Sequence, residues 1–285
     1  MPELPAPIAK PDLNDAIKYA LLVKAAEDVP PNQTVYHPDD VINVAYDAIN
    51  VRYSVVTTIF ANDLATDLQP LRADQIVSMG FVVQDPLGNA VVAIRGTDGI
   101  FEWVQDLRFL LVKCPILAGA GFSEDGFTAV YESLRIAQEP ASSRLVDALP
   151  NLAFPCAVTS MTICGHSLGA AVATLLALDV GANTKFANPT AYTYASPRTG
   201  DSSFADTYNQ LVPNTYRIAN RLDLVPKLPA PPLYEHVLGL DDLNPMTKVR
   251  WDIPCEHHLT TYLYLLSLLS GGTTLPLDGA CLPGI

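Results

Sequence analysis

The Gly-His-Ser-Leu-Gly segment at residues 165–169 constrains the fold of this chain more than any other feature. It lies between a short apolar strand predicted over residues 159–164 and an Ala- and Leu-rich helix predicted over residues 168–180. In such a strand-to-helix turn the serine backbone is strained and its hydroxyl is held above the sheet edge. Glycines let neighbouring backbone approach closely, and the helix N-terminus supplies partial positive charge where an oxyanion would form. The segment predicts that Ser167 is a nucleophile; a chance Gly-Ser-Gly turn is the alternative.

The rest of the chain alternates between strand and helix patterns. Helices are predicted over residues 14–29, 124–149 (interrupted near Pro140) and 204–211 and from Glu256 onward, strands over 51–60, 191–195 and 215–219, and a β-hairpin over 80–94. Alternating strands and helices favour a mostly parallel sheet covered on both faces. Because no composition shift marks a boundary, we expect one α/β domain over residues 1–285.

Composition and charge exclude several classes of function. The chain has 17 Lys and Arg residues against 30 Asp and Glu residues, a net charge of −13. This balance disfavours nucleic acid as a partner, because phosphate binding depends on basic residues. No apolar run approaches the roughly 20 residues of a transmembrane helix, and the N-terminus lacks the pattern of a signal peptide.

The five cysteines of the chain are scattered and have no CxxC spacing. They therefore predict neither a zinc site nor a disulfide framework. The alternative is a single disulfide bridge between Cys255 and Cys281, near the C-terminus. The absent leader and odd cysteine number favour the cytoplasm.

A serine nucleophile needs a histidine base that is oriented by a carboxylate. In a strand-turn-helix setting of this kind the acid precedes the histidine in the chain. Asp223 comes directly after the strand predicted over residues 215–219, at the edge where ligands of open α/β sheets bind. We therefore predict that Asp223 is the acid; the alternative is that it only caps the Pro-rich loop over residues 225–232.

Three histidines follow Ser167 in the chain, namely His236, His257 and His258. Adjacent residues on a helix point about 100° apart, so His257 and His258 cannot both face the serine, and position alone does not choose between them. His236 is interpreted as a structural strand residue. His166, which precedes the serine, is interpreted as packing into the sheet.

Six segments between residues 91 and 262 occur in an order that resembles the class 3 (fungal-type) lipase family of α/β-hydrolases. They are VVAIRGT (91–97), FEWVQDL (101–107), TICGHSLGAA (162–171), YASPRTGD (194–201), RLDLVPKLP (221–229) and HLTTY (258–262). The resemblance implies the α/β-hydrolase fold, in which helices flank a mostly parallel central sheet and a short lid helix covers the site.

The resemblance also implies a role for individual residues. Ser167 would be the nucleophile and Asp223 the orienting acid, and the His-Leu-x-x-Tyr pattern selects His258 as the base. The backbone N–H groups of Thr97 and Leu168 would form the oxyanion hole, where one donor contributes about 10²–10³ in rate. The alternative role for Thr97 is that of a strand-end residue.

The segment over residues 98–106 takes the place of the family's lid. Ile100, Phe101, Trp103 and Val104 alternate with polar residues there, which is typical of a short amphipathic helix. Such a helix could cover an apolar acyl pocket and open at a lipid surface. A fixed surface helix with Trp103 in the core is the alternative.

Together these observations predict a carboxylic ester hydrolase that forms an acyl-enzyme without a metal or organic cofactor. The first choice is a triacylglycerol lipase that contacts the lipid–water interface transiently. The alternatives are a short-chain, feruloyl-type or phospholipid esterase without lipase activity, and a non-catalytic lipid-binding protein. Members of the family are often secreted, so the location stays open, as does the oligomeric state.

Overall fold

A large mixed β-sheet with helices on both faces organises the chain. The computed structural model describes residues 10–29, 36–62, 76–97, 109–137, 142–245 and 248–283. The helices of this part of the chain are α1 (Leu13–Glu27), α2 (Asp125–Ser133), α3 (Leu145–Ala148), α4 (Leu168–Asn183), α5 (Ser202–Leu211), α6 (Ile253–His257) and α7 (Leu259–Ser270). Its strands are β1 (Val41–Tyr46), β2 (Ile49–Asn62), β3 (Ile76–Gln84), β4 (Asn89–Ile94), β5 (Leu111–Lys113), β6 (Phe122–Glu124), β7 (Ser160–His166), β8 (Thr190–Tyr194), β9 (Thr215–Asn220) and β10 (Leu240–Leu243).

The main sheet has the strand order β1-β2-β3-β4-β7-β8-β9-β10. The first four strands pair antiparallel, and β4 and β7 to β10 pair parallel. The predicted hairpin is present as β3 and β4, with Gln84 opposite Ala90. The predicted α/β class is thus confirmed, with an antiparallel half towards the N-terminus.

Two apolar cores lie on opposite faces of this sheet. Helices α2, α4 and α5 pack on one face, and α1 and α7 pack on the other. Neighbouring residues of β7 alternate between the two cores, Ile163 facing the first and Cys164 the second. Helix α4 is buried over all of its first thirteen residues, which explains why its sequence is apolar all round. Each fully buried Leu of such a helix contributes about 2 kcal/mol.

Several sequence predictions differ from the observed elements. The helical segment over residues 124–149 is divided into α2 and α3, and the C-terminal helix is divided into α6 and α7. Strands β1 and β10 were not predicted, and His236 lies in the loop before β10 rather than in a strand. The expected single domain over residues 1–285 stays a prediction. None of the described helices has the length and apolar character needed to cross a membrane.

Candidate active site

Ser167 occupies a strained turn between β7 and α4. Its φ of 58° and ψ of −126° lie in a region that L-residues rarely adopt. Glycines allow this turn to form: a Cβ on Gly165 would lie 2.3 Å from the carbonyl oxygen of Gly169, and one on Gly169 would lie 2.2 Å from that of Arg95. The turn is held by the Ser167 N–H, which donates to the Tyr194 carbonyl at 2.9 Å.

His257, the last residue of α6, joins Ser167 to Asp223. Its Nε2 lies 2.8 Å from Ser167 Oγ, and its Nδ1 lies 2.8 Å from Asp223 Oδ2. The Asp223 carboxylate accepts the Nδ1–H of His257, so in the neutral ring the unprotonated Nε2 faces the serine. This tautomer is the one that a general base requires. All three side chains are buried.

The prediction that His258 faces Ser167 was wrong. The backbone leaves the helical region at His258, where φ is −61° and ψ is 135°, so this residue caps α7 instead of continuing α6. Its exposed side chain accepts the Thr260 N–H at 3.3 Å through Nδ1. The break between the two helices turns His257 inward and His258 outward.

Asp223 lies in the turn after β9 and is completely buried. Its Oδ1 accepts the Val225 N–H at 2.9 Å, and its Oδ2 accepts both His257 and the hydroxyl of Tyr262 at 2.7 Å. Asp223 therefore contacts both the loop that it caps and the ring of His257, and its role as the orienting acid stays a prediction.

Tyr262 is a site residue that sequence reasoning did not identify, although it ends the His-Leu-x-x-Tyr pattern. Its hydroxyl accepts the Asn220 N–H at 3.0 Å and donates to Asp223. Burial raises the pKa of Tyr262 well above its ordinary value, with a further contribution from the Asp223 charge. The phenol therefore remains a hydrogen-bond donor to Asp223.

His166 does not simply pack into the sheet. Its Nε2 donates to the His257 carbonyl at 2.9 Å, and its Nδ1 donates to Glu27 Oε1 at 2.8 Å. Because both acceptors are oxygens without a proton to give, the ring carries protons on both nitrogens and is an imidazolium. Burial lowers the pKa of His166, but the Glu27 carboxylate, the His257 carbonyl and the Asp223 charge together outweigh burial and raise the pKa above its ordinary value.

Leu168 directly follows Ser167, whereas Thr97 comes three residues after the end of β4, the strand that pairs with β7. Leu168 is the first residue of α4, and the first N–H groups of a helix have no partner within it. Thr97 is half-buried and follows Gly96, where a Cβ would lie 3.2 Å from the carbonyl oxygen of His166. Their oxyanion role stays a prediction.

The predicted lid residues Ile100, Phe101, Trp103 and Val104 lie outside the described residues. Within the residues that are described, no group of three His, Cys, Asp or Glu side chains could hold a metal ion. The Cys255–Cys281 bridge is present and joins α6 to the C-terminal segment. The pairing considered from the sequence is therefore confirmed.

The sequence matches the family model of class 3 lipases over residues 91–232. Rice phospholipase A1-II 4 is 38% identical over 162 residues, which cover 50% of this chain and 40% of the rice protein. A secreted mono- and diacylglycerol lipase of Fusarium solani is 34% identical over 140 residues, covering 49% of this chain and 39% of that protein. The chain thus spans about two fifths of the length of these curated relatives.

Several solved lipase structures are similar to this fold. A fungal lipase crystal structure aligns with a TM-score of 0.62 and 23% identity over 86% of this chain and 85% of its own. The Lip2 lipase of Yarrowia lipolytica aligns with a TM-score of 0.58 and 20% identity over 83% of this chain and 80% of its own. These similarities show the α/β-hydrolase fold. The family match includes Ser167 and Asp223 but ends before His257.

Proposed function

Because residues 91–232 belong to the class 3 lipase family, we propose that this protein is a carboxylic ester hydrolase that uses Ser167, His257 and Asp223. One observation carries the proposal. A continuous chain of hydrogen bonds, 2.8 Å at each step, runs from Ser167 Oγ through the His257 ring to Asp223 Oδ2. A serine-histidine-aspartate chain of this geometry activates the serine hydroxyl for attack on a carbonyl carbon.

In the proposed mechanism His257 Nε2 removes the Ser167 proton as Oγ attacks the ester carbonyl. The backbone N–H groups of Leu168 and Thr97 hold the resulting oxyanion. His257 then gives its proton to the leaving alcohol, and an acyl-enzyme remains on Ser167. A water molecule repeats the sequence and releases the acid. Asp223 stays ionised throughout and stabilises the imidazolium.

The substrate we propose is an acyl ester of a glycerolipid. Triacylglycerol is the first choice, with the segment over residues 98–106 as lid. Phospholipids and partial glycerides are the second choice, which the names of the rice and Fusarium relatives favour. The complete hydrogen-bonded triad disfavours a non-catalytic lipid-binding role, because such a role would not need an oriented base.

The test is ester hydrolysis by the whole chain and by a Ser167→Ala variant. The substrates are p-nitrophenyl esters from C2 to C16 and emulsions of triacylglycerol, diacylglycerol and phosphatidylcholine. We expect long-chain and emulsified substrates to be cleaved and Ser167→Ala to lose at least about 10⁴ in kcat. Cleavage of short esters alone would still support the proposed triad but would exclude lipase activity. Equal rates for both proteins would contradict the catalytic proposal itself.

A further inference from the structure

A cavity lies beside β9 and β10, and none of the residues that line it belongs to the proposed triad. Its volume is about 530 Å³, within the range of roughly 300–1,000 Å³ that is typical of small-molecule sites. The residues that line it are Arg198, Arg217, Pro231, Pro232, Tyr234, Glu235, His236, Val237, Leu238, Gly239 and Leu240. Two arginines therefore line one cavity in a strongly acidic chain.

Arg217 is the buried charge of this cavity. It lies on β9 opposite Leu240 of β10 and is 6% exposed. Its Nε donates to the Val237 carbonyl at 3.3 Å, whereas its two terminal nitrogens make no hydrogen bond among the described residues. Burial, together with the nearby Arg198, lowers the pKa of Arg217 to about 10. The Arg217 guanidinium is therefore still charged at neutral pH, and its terminal N–H groups are available to a ligand.

No described residue neutralises the two guanidinium groups. The ion pairs of the described residues involve neither arginine. Among the described residues the Arg198 side chain donates only to the carbonyl oxygens of Lys227 and Pro229, and the exposed Glu235 pairs with neither arginine. Burying a charge without a counter-charge is costly, so the cavity is suited to an anion.

Tyr234 and His236 also line the cavity. The Tyr234 hydroxyl is buried and has no hydrogen-bond partner among the described residues. Burial lowers the pKa of His236 to about 3, with Arg217 adding to the effect. His236 is therefore neutral, and its Nε2–H donates to the Pro226 carbonyl at 2.6 Å.

Apolar side chains border the charged end of the cavity. Leu238 and Leu240 are 43% and 57% exposed, and Pro231 and Pro232 also face the cavity. An inorganic ion would leave this apolar surface uncovered. A ligand with an apolar chain would bury it, at about 25 cal/mol for each Å² removed from water.

We propose that this cavity binds the oxyanion head of a single-chain amphiphile, held by Arg217 and Arg198, with its alkyl chain against Leu238 and Leu240. A carboxylate and a phosphate ester share this chemistry, since both accept paired N–H donors from a guanidinium. The carboxylate would come from a fatty acid, and the phosphate ester would come from a lysophospholipid. The proposal does not depend on the ester hydrolase activity.

Calorimetric titration of the Ser167→Ala chain tests this site without turnover. The probes are octanoate, octyl phosphate, 1-octanol and inorganic phosphate. We expect octanoate, octyl phosphate or both to bind at least about tenfold more tightly than 1-octanol and than inorganic phosphate. The stronger of the two anions identifies the head group. Equal binding of octanoate, octyl phosphate and 1-octanol would overturn the proposal, and so would inorganic phosphate binding as tightly as the octyl anions.

Added substitutions separate this cavity from the acyl site next to residue 167. Arg217→Met removes the buried charge and should weaken anion binding at least about tenfold. The control Arg221→Met removes an exposed arginine paired with Asp242 and should leave binding unchanged. Anion binding that is unaffected by Arg217→Met would place the ligand elsewhere and contradict the proposal.

A surface substitution keeps the test informative if Arg217→Met does not fold. Leu238→Glu adds a negative charge at a half-exposed position of the cavity and should also weaken anion binding at least about tenfold. Leu87→Glu, at a position that is 78% exposed in the turn before β4, adds the same charge elsewhere. Equal anion affinity in these two variants would overturn the proposal.

Discussion

The Glu27 carboxylate accepts a hydrogen bond from the backbone N–H of Gly96, with 3.2 Å between Oε1 and N. The same oxygen accepts a hydrogen bond from His166 Nδ1–H, and His166 Nε2–H in turn donates to the carbonyl of His257. One side chain at the end of α1 therefore joins the strand end before Thr97 to the backbone that carries the proposed base.

We expect Glu27→Gln to lower the free energy of unfolding by about 3 kcal/mol near pH 6, because it leaves the buried His166 imidazolium without its counter-charge. The measurement is urea denaturation of the parent and the variant from pH 4 to pH 9. Asp28→Asn is the matched control, since Asp28 is an exposed neighbour that pairs only with Lys24.

The pH dependence of this difference follows from the two shifted pKa values. Burial raises the pKa of Glu27, but His166 and the Gly96 N–H outweigh burial and lower the pKa below its ordinary 4.5. The stabilisation by Glu27 is thus lost as the pH falls through that lowered pKa. The pKa of His166 is raised above 6.5, so its share is lost as the pH rises through the raised value. A difference that is constant over the whole range would contradict the ion pair.

Single substitutions of the two adjacent histidines should have very different effects. His257→Ala removes the base and should reduce kcat by about 10⁴–10⁶. His258→Ala removes the N-cap of α7, which costs about 1 kcal/mol of stability, and should change kcat by less than about threefold. The measurement is kcat for ester hydrolysis at a temperature where both variants are folded. Activity that survives His257→Ala and disappears with His258→Ala would reinstate the sequence assignment.

Much of the fold was predictable because its elements have strong local signals. The β3–β4 hairpin combines two apolar runs with the turn residues between Asp85 and Asn89. Helix α4 directly follows the serine turn and is rich in Ala and Leu up to its end at Asn183. Strand β10 (Leu240–Leu243) carries two aspartates and pairs only with β9, so its sequence lacks the apolar alternation of a strand. Pairing with β9, rather than a local sequence preference, makes residues 240–243 a strand.

The site was predictable where a residue's role depends on its own turn, and not where it depends on long-range contacts. Ser167 and Asp223 lie in turns directly after strands, so the sequence predicted both. The choice between His257 and His258 depends on the backbone break between α6 and α7, which apolar periodicity does not reveal. The contact of Glu27 with His166 joins residues 139 positions apart and has no local signal.

Removing the Tyr262 hydroxyl should impair the site without unfolding the chain. Tyr262→Phe deletes the donor to Asp223 and the acceptor for the Asn220 N–H, and we expect about a tenfold lower kcat and about 1–2 kcal/mol less stability. Tyr264→Phe, at a partly buried position of the same helix, is the control. Kinetics with a soluble ester measure the effect, and a kcat equal to that of the control would exclude the orienting role.

The Cys255–Cys281 bridge should stabilise the segment that carries His257. It closes a loop of 26 residues, for which the loss of chain entropy in the unfolded state corresponds to about 3 kcal/mol. We expect the double variant Cys255→Ser with Cys281→Ser to lose about that amount in urea denaturation. Cys156→Ser changes an exposed free cysteine and should have no effect. A double variant as stable as this control would refute the contribution.

Gly169→Ala should be the most damaging small substitution in the serine turn. The new Cβ would lie 2.2 Å from the Arg95 carbonyl oxygen, and neither backbone can move without separating α4 from the strand end next to Gly96. We expect a loss of about 3 kcal/mol or more, measured by thermal or urea unfolding. Gly279→Ala places its Cβ where nothing lies within 4 Å and should stay within about 0.5 kcal/mol of the parent. If both alanine variants unfold alike, the close approach at Gly169 is not what requires a glycine there.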